Sequence, residues 1–142
     1  MNILNKKNNG FSLLELILAI AIFSLSSIAM ATLLIDSNIS SRLSLEKTYA
    51  LLYAKEGLEA TRSIRDNNWL DLADGDHGLL NNGVTWVFSG SSDLIDDKYT
   101  RTITLTTVST TTKNVLINID WSLTPSRLAN VNLETILTNW KE

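Results

Sequence analysis

The sequence predicts an α+β chain: one long amino-terminal helix, apolar in its first half and amphipathic in its second, packed on a carboxy-terminal antiparallel sheet. Three observations predict it. An uninterrupted apolar run occupies Phe11 to Ile35, and no Pro or Gly occurs from Phe11 to Glu56. After Trp69 the hydrophobic pattern changes from a helical period to strict alternation. The charges are also polarised. Residues 16–35 carry none, whereas 13 acidic and 10 basic residues follow Asp36. At 142 residues there is room for one domain, or one small domain with an appendage.

The elements follow in order. Met1 to Gly10 is polar, with Lys6 and Lys7 as its only charges. The 25 residues from Phe11 to Ile35 would span about 37 Å as a helix, enough to cross a hydrocarbon core of about 30 Å. With Lys6 and Lys7 on one side and no basic residue until Arg42, Met1 is expected in the cytoplasm and everything after Asp36 outside. Helix formers continue through Leu45 to Glu56, so the helix is expected to run from about Phe11 to Arg65. Asp36-Ser37-Asn38, rich in poor helix formers, is its expected weak point, and Asp66-Asn67-Asn68 its end. Leu45, Tyr49, Leu52, Tyr53, Ala60 and Ile64 mark the stripe expected to face the sheet. Glu59 and Arg62 are spaced for an i,i+3 pair.

Four strands are expected: Val84 to Phe88, Tyr99 to Val108, Val115 to Leu123, and a weaker one from Val131 to Thr138. Ser109 to Thr112 and Pro125-Ser126 read as turns of a meander with one face on the helix and the other in water.

Several function classes drop out on composition. With no cysteine, a disulfide framework, a thiolate metal site and a cysteine nucleophile are excluded. A single histidine, His77, excludes a multi-histidine metal site, and no recognisable nucleophile motif accompanies it. A net charge of −3 argues against a nucleic-acid partner. The Asp-rich stretches Asp71 to His77 and Asp93 to Asp97 could offer oxygens to Ca²⁺, but neither has EF-hand spacing, and turns attract Asp anyway. No catalytic residue, metal site or cofactor is assigned. The four tryptophans, Trp69, Trp86, Trp121 and Trp140, are read as core anchors.

Glu15 is the informative residue. A carboxylate inside an apolar span costs up to about 2.5–3.5 kcal/mol at the bilayer centre, less near the interface. A secretory signal peptide cut after Ala29-Met30-Ala31 and a plain signal anchor both leave it unexplained. Gly10-Phe11-Ser12-Leu13-Leu14-Glu15, preceded by Lys6 and Lys7, closely resembles the processing site of type IV pilins and pseudopilins. The resemblance implies a leader over residues 1–10, cut between Gly10 and Phe11 by prepilin peptidase, with N-methylation of Phe11. It further implies a transmembrane and assembly helix over 11–35, an amphipathic continuation over 36–66, and an extracytoplasmic sheet domain over 67–142. Glu15 would then neutralise the amine of a neighbouring subunit. The partners implied are the peptidase, other pilin subunits, an inner-membrane assembly platform and, before assembly, membrane lipid. The chain would sit in the cytoplasmic membrane before joining an extracytoplasmic filament. Unlike many major pilins, this sequence carries Ser24, Ser26, Ser27 and Thr32 in place of a helix-breaking Pro or Gly. Ala54 to Arg62 is similar to the helix of minor pilins and minor pseudopilins. A tip adhesin or DNA-uptake subunit, and an ordinary secreted or membrane-anchored domain, remain the alternatives.

Overall fold

The computed structural model describes residues 12–124 and 127–140. One helix, α1, spans Leu13–Asn67, 55 residues. A 3₁₀ turn at Trp69–Asp71 follows, and then seven strands: β1 Gly75–His77, β2 Leu79–Asn81, β3 Trp86–Phe88, β4 Asp93–Ile95, β5 Tyr99–Ser109, β6 Thr112–Thr124 and β7 Arg127–Thr138. The chain divides into two compact units at Arg42/Leu43, and each is described by itself.

In the first unit α1 is continuous through Asp36-Ser37-Asn38, against the expectation of a weak point. The Asn38 amide donates to the Leu34 carbonyl at 2.9 Å, so its side chain caps the helix backbone rather than opening it.

The second unit is built on the meander β5-β6-β7, all antiparallel, with β1 and β4 both paired to the outer side of β5. Its register places like with like across the inner face: Tyr99 opposite Trp121, Ile103 opposite Ile117, Leu105 opposite Val115. These side chains, with Ile119 and Leu137, form the buried core beneath the helix. Because side chains alternate along a strand, the same register sends Thr100, Thr102, Thr104, Asn118 and Asn132 to the opposite face.

The helix meets the sheet on a stripe that shares only its later part with the one expected: Ala60 and Ile64 are buried and Tyr53 packs against the core. Ala50, Ala54, Gly57, Ala60, Thr61 and Ile64 are its buried residues, whereas Leu45, Tyr49 and Leu52 remain more than half exposed at 56%, 52% and 52%. Small side chains allow the helix axis to lie close to the branched residues of β5 and β6. A Cβ at Gly57 would already stand 3.1 Å from Arg101 Cδ and 3.4 Å from Ile117 Cγ2. Bulky residues here would hold the two elements apart and leave voids, so Leu45, Leu51 and Leu52 fall outside the contact, while Leu58 packs at its margin.

Two further expectations need correction. Val84 to Phe88 does yield a strand, but β3 pairs only with β2 in a separate two-stranded sheet. Three of the tryptophans pack on the core, Trp121 fully and Trp69 and Trp86 partly. Trp140 does not: it is 61% exposed, its indole N–H donating to Asp66 at 3.1 Å. The turn expected at Pro125-Ser126 lies outside the described residues.

Candidate functional site

The amino-terminal half of α1 presents an uncommon surface for a protein helix. From Leu13 to Ile35 its large apolar side chains are 54–75% exposed. The helix is long and apolar enough to cross a membrane, with a best-window mean hydropathy of 2.3 and none of that window buried. Apolar surface on this scale requires a lipid or protein environment.

Glu15 lies in the first turn of this helix. There the free backbone N–H groups and the helix dipole favour a negative charge. The Leu16 N–H donates to the Ser12 carbonyl at 3.2 Å, so the helical bonding begins one turn before Leu16. Glu15 shares a shallow, almost wholly apolar groove with Ser12, Leu14, Leu18, Ala19 and Ile22. Among the described residues nothing hydrogen-bonds or ion-pairs with its carboxylate. A carboxylate in an apolar groove, on a surface this apolar, is the one charged group of the exposed segment from Leu13 to Ile35. Gly10 and Phe11, the other two residues singled out by the sequence, lie outside the described residues.

The remaining polar residues of the apolar segment satisfy themselves. Ser24, Ser26 and Ser27 each donate to the carbonyl four residues earlier, at 2.8, 2.9 and 2.8 Å, and Thr32 donates to Ala29 at 2.9 Å. Hydroxyls tied back in this way enter hydrocarbon without an open donor. Glu15 is therefore chemically distinct from them. It cannot close a local bond of this kind while charged.

The other candidates resolve into structural roles. His77 places Nε2 2.8 Å from the Ala73 carbonyl and stacks on Phe88 with ring centroids 4.5 Å apart, which is a packing role. Asp74 accepts from Lys113 Nζ and Thr107 Oγ1, both at 2.8 Å, and these bonds hold its carboxyl below the usual range. Asp76 accepts from Thr104 at 2.7 Å. In the second acidic stretch Asp93 accepts from Arg101, and Asp96 accepts from the Tyr53 hydroxyl. The Asp96 bond, burial and the Asp96 charge together push the Tyr53 hydroxyl up to about 12. Among the described residues no group of three or more His, Asp or Glu side chains is arranged to hold a metal ion. The expected Arg62–Glu59 pair is present at 2.6 Å, on the surface.

One polar centre escaped the sequence reading. Arg101 is only 3% exposed on the helix-facing side of β5, forked onto Asp93 through Nε (3.2 Å) and Nη2 (2.8 Å). Its Nη1 donates to the Tyr53 carbonyl of α1 at 3.3 Å. The available signal was parity: Arg101 shares its phase with Tyr99, Ile103 and Leu105, so it had to point inward and needed a carboxylate.

Compared with known proteins, no curated protein and no solved structure matches the chain. Residues 5–31 match the prokaryotic N-terminal methylation motif, of type IV pilin type, and thus enclose Gly10, Phe11 and Glu15 in one recognised segment.

Proposed function

We propose that this chain is a non-enzymatic structural subunit of a type IV pilus or pseudopilus. It is made as a prepilin, cut between Gly10 and Phe11 by prepilin peptidase, and N-methylated at Phe11. The mature helix then holds it in the cytoplasmic membrane until an assembly platform extracts it into a filament. The observation that carries this reading is the lone carboxylate of Glu15 in the exposed, otherwise uncharged stretch of α1 from Leu13 to Ile35, inside the methylation motif. A cleaved and cationic Phe11 amine on a neighbouring subunit would supply the partner that Glu15 lacks among the described residues. The likeness of Ala54 to Arg62 to minor subunits supports a minor pilin or minor pseudopilin. Adhesive or DNA-uptake roles gain no support from charge, since the part after Asp36 carries 10 basic against 13 acidic residues.

The test is Glu15→Leu. Unit charges about 4 Å apart attract by roughly 4 kcal/mol at an effective dielectric near 20, a gross figure that desolvation reduces. Removing the acceptor also strands the amine in apolar surroundings. The variant is expected to insert and be processed normally but to stay in the membrane fraction, poorly represented in sheared filaments. Incorporation at the wild-type level would refute the pairing.

A further inference from the structure

The β2–β3 hairpin has an edge that no other strand uses among the described residues. Asn82 N–H donates to the Thr85 carbonyl at 3.2 Å and Ser89 N–H to the Gly78 carbonyl at 3.0 Å, while Leu80 lies opposite Val87. In an antiparallel ladder the hydrogen-bonded pairs recur every second residue. Positions 82/85, 80/87 and 78/89 are therefore the bonded pairs. The N–H and C=O groups of Trp86 and Phe88 point the other way.

That free edge forms one wall of an open cleft of about 410 Å³. Residues 85–88 all line it. Successive side chains of a strand point to opposite faces, so four consecutive residues share one cavity through their common backbone edge. Ile64 and Asn67 at the end of α1, and Asp71 in the 3₁₀ turn, line it as well.

Among the described residues the ionisable side chain that lines the cleft is acidic. Asp71 is the only ionisable residue lining it, and Asn68 Nδ2 engages just its Oδ1, at 2.9 Å. The carboxy-terminal end of α1 adds the negative end of a helix dipole. The basic side chains of the last helical turns, Arg62 and Arg65, are already paired with Glu59 and Asp66.

We propose that this cleft is a strand-addition site for an extended, basic peptide segment of another protein, whose backbone pairs with Trp86 and Phe88 and whose Lys or Arg lies against Asp71. Main-chain pairing of this kind supplies affinity, and the charged side chain supplies selection. The site lies wholly within the sheet unit and does not depend on the pilin reading.

The experiment uses the full chain, ¹⁵N-labelled, in zwitterionic detergent micelles, titrated with the blocked pentapeptide Thr-Lys-Thr-Lys-Thr. Amide exchange at Trp86 and Phe88 is expected to slow by about tenfold or more, with Val87, already bonded to β2, unchanged. Asp71→Lys, an exposed substitution whose fold is checked by the unliganded spectrum, is expected to weaken binding about tenfold or more. Thr-Glu-Thr-Glu-Thr is expected not to bind. Three results would overturn the proposal: unaltered exchange at Trp86 and Phe88 at about millimolar peptide, equal binding of the acidic peptide, or an Asp71→Lys variant with undiminished affinity. Shifts confined to the Trp86 and Phe88 rings, without amide protection, would also overturn it in favour of a small-molecule cleft.

Discussion

Asp93→Ala probes most directly the buried ion pair that lies between helix and sheet in the second unit. The Arg101 guanidinium is 3% exposed, and both oxygens of Asp93 are bound to it. Removing Asp93 leaves that charge with the Tyr53 carbonyl and with Glu56, whose carboxylate is 3.8 Å away and 45% exposed. Breaking a buried pair from one side costs about 3–5 kcal/mol. Glu56, being exposed, returns at most about 1 kcal/mol. The Leu79 N–H loses its Asp93 acceptor at 2.9 Å, which adds about 1 kcal/mol. The net expectation is a loss of about 3–5 kcal/mol, or at least about 12 °C in Tm for a domain of this size. Arg101→Met leaves Asp93, 18% exposed and still bonded to Leu79, and should cost less, about 1–3 kcal/mol. The double variant removes both charges together, so its cost should fall short of the sum by about 2 kcal/mol or more. Urea unfolding of a fragment beginning at Ser37, followed by circular dichroism, measures all four corners. An Asp93→Ala loss below about 1 kcal/mol, or strict additivity, would refute the reading of Asp93 and Arg101 as a coupled buried pair.

Two further outcomes follow from the same geometry. Among the described residues every buried core residue lies at or beyond Ala50, so the fragment from Ser37 should be soluble and monomeric with mixed helix and strand; aggregation relieved only by detergent would misplace the membrane boundary. Stability should also decline in alkali. The Tyr53 hydroxyl sits at about 12 in the fold against an ordinary value of 10.0, chiefly through its bond to Asp96, and burial raises Tyr99 as well. A raised folded pKa protects the fold fully below the unfolded value and fails above it, so the urea midpoint should hold to about pH 10 and drop between about 10 and 12. Tyr53→Phe should flatten that decline, and an unaltered decline would contradict it.

What the sequence discloses depends on the physics of each element. β5, β6 and β7 were readable because 11 to 13 residues of alternation leave only one register that buries Ile103, Ile117 and Ile119 together. Three-residue strands such as β1 and β4 carry no such signal, because Gly75-Asp76-His77 becomes a strand only through the β5 edge beside it. The first half of the helix face, Leu45, Tyr49 and Leu52, was misread for a related reason. Periodicity finds large apolar residues, yet close packing on a sheet selects Ala50, Ala54 and Gly57, which a hydrophobicity count undervalues. Arg101 could be placed inside by parity, but nothing in the spacing distinguishes Asp93 from Asp96 or Asp97 as its partner. Glu15 was plain from the sequence because hydrophobicity alone forbids it there.

The central claim is that the chain is a processed pilin-type subunit, and the most direct test is intact mass with amino-terminal sequencing of the membrane-bound protein made beside a prepilin peptidase. Cleavage after Gly10 leaves 142 − 10 = 132 residues and, as Lys6 and Lys7 leave, takes the formal charge from −3 to −5. The expected product begins at Phe11 and carries one additional methyl group on its amine. A product beginning after Ala31, or an uncut chain in the presence of active peptidase, would contradict the account.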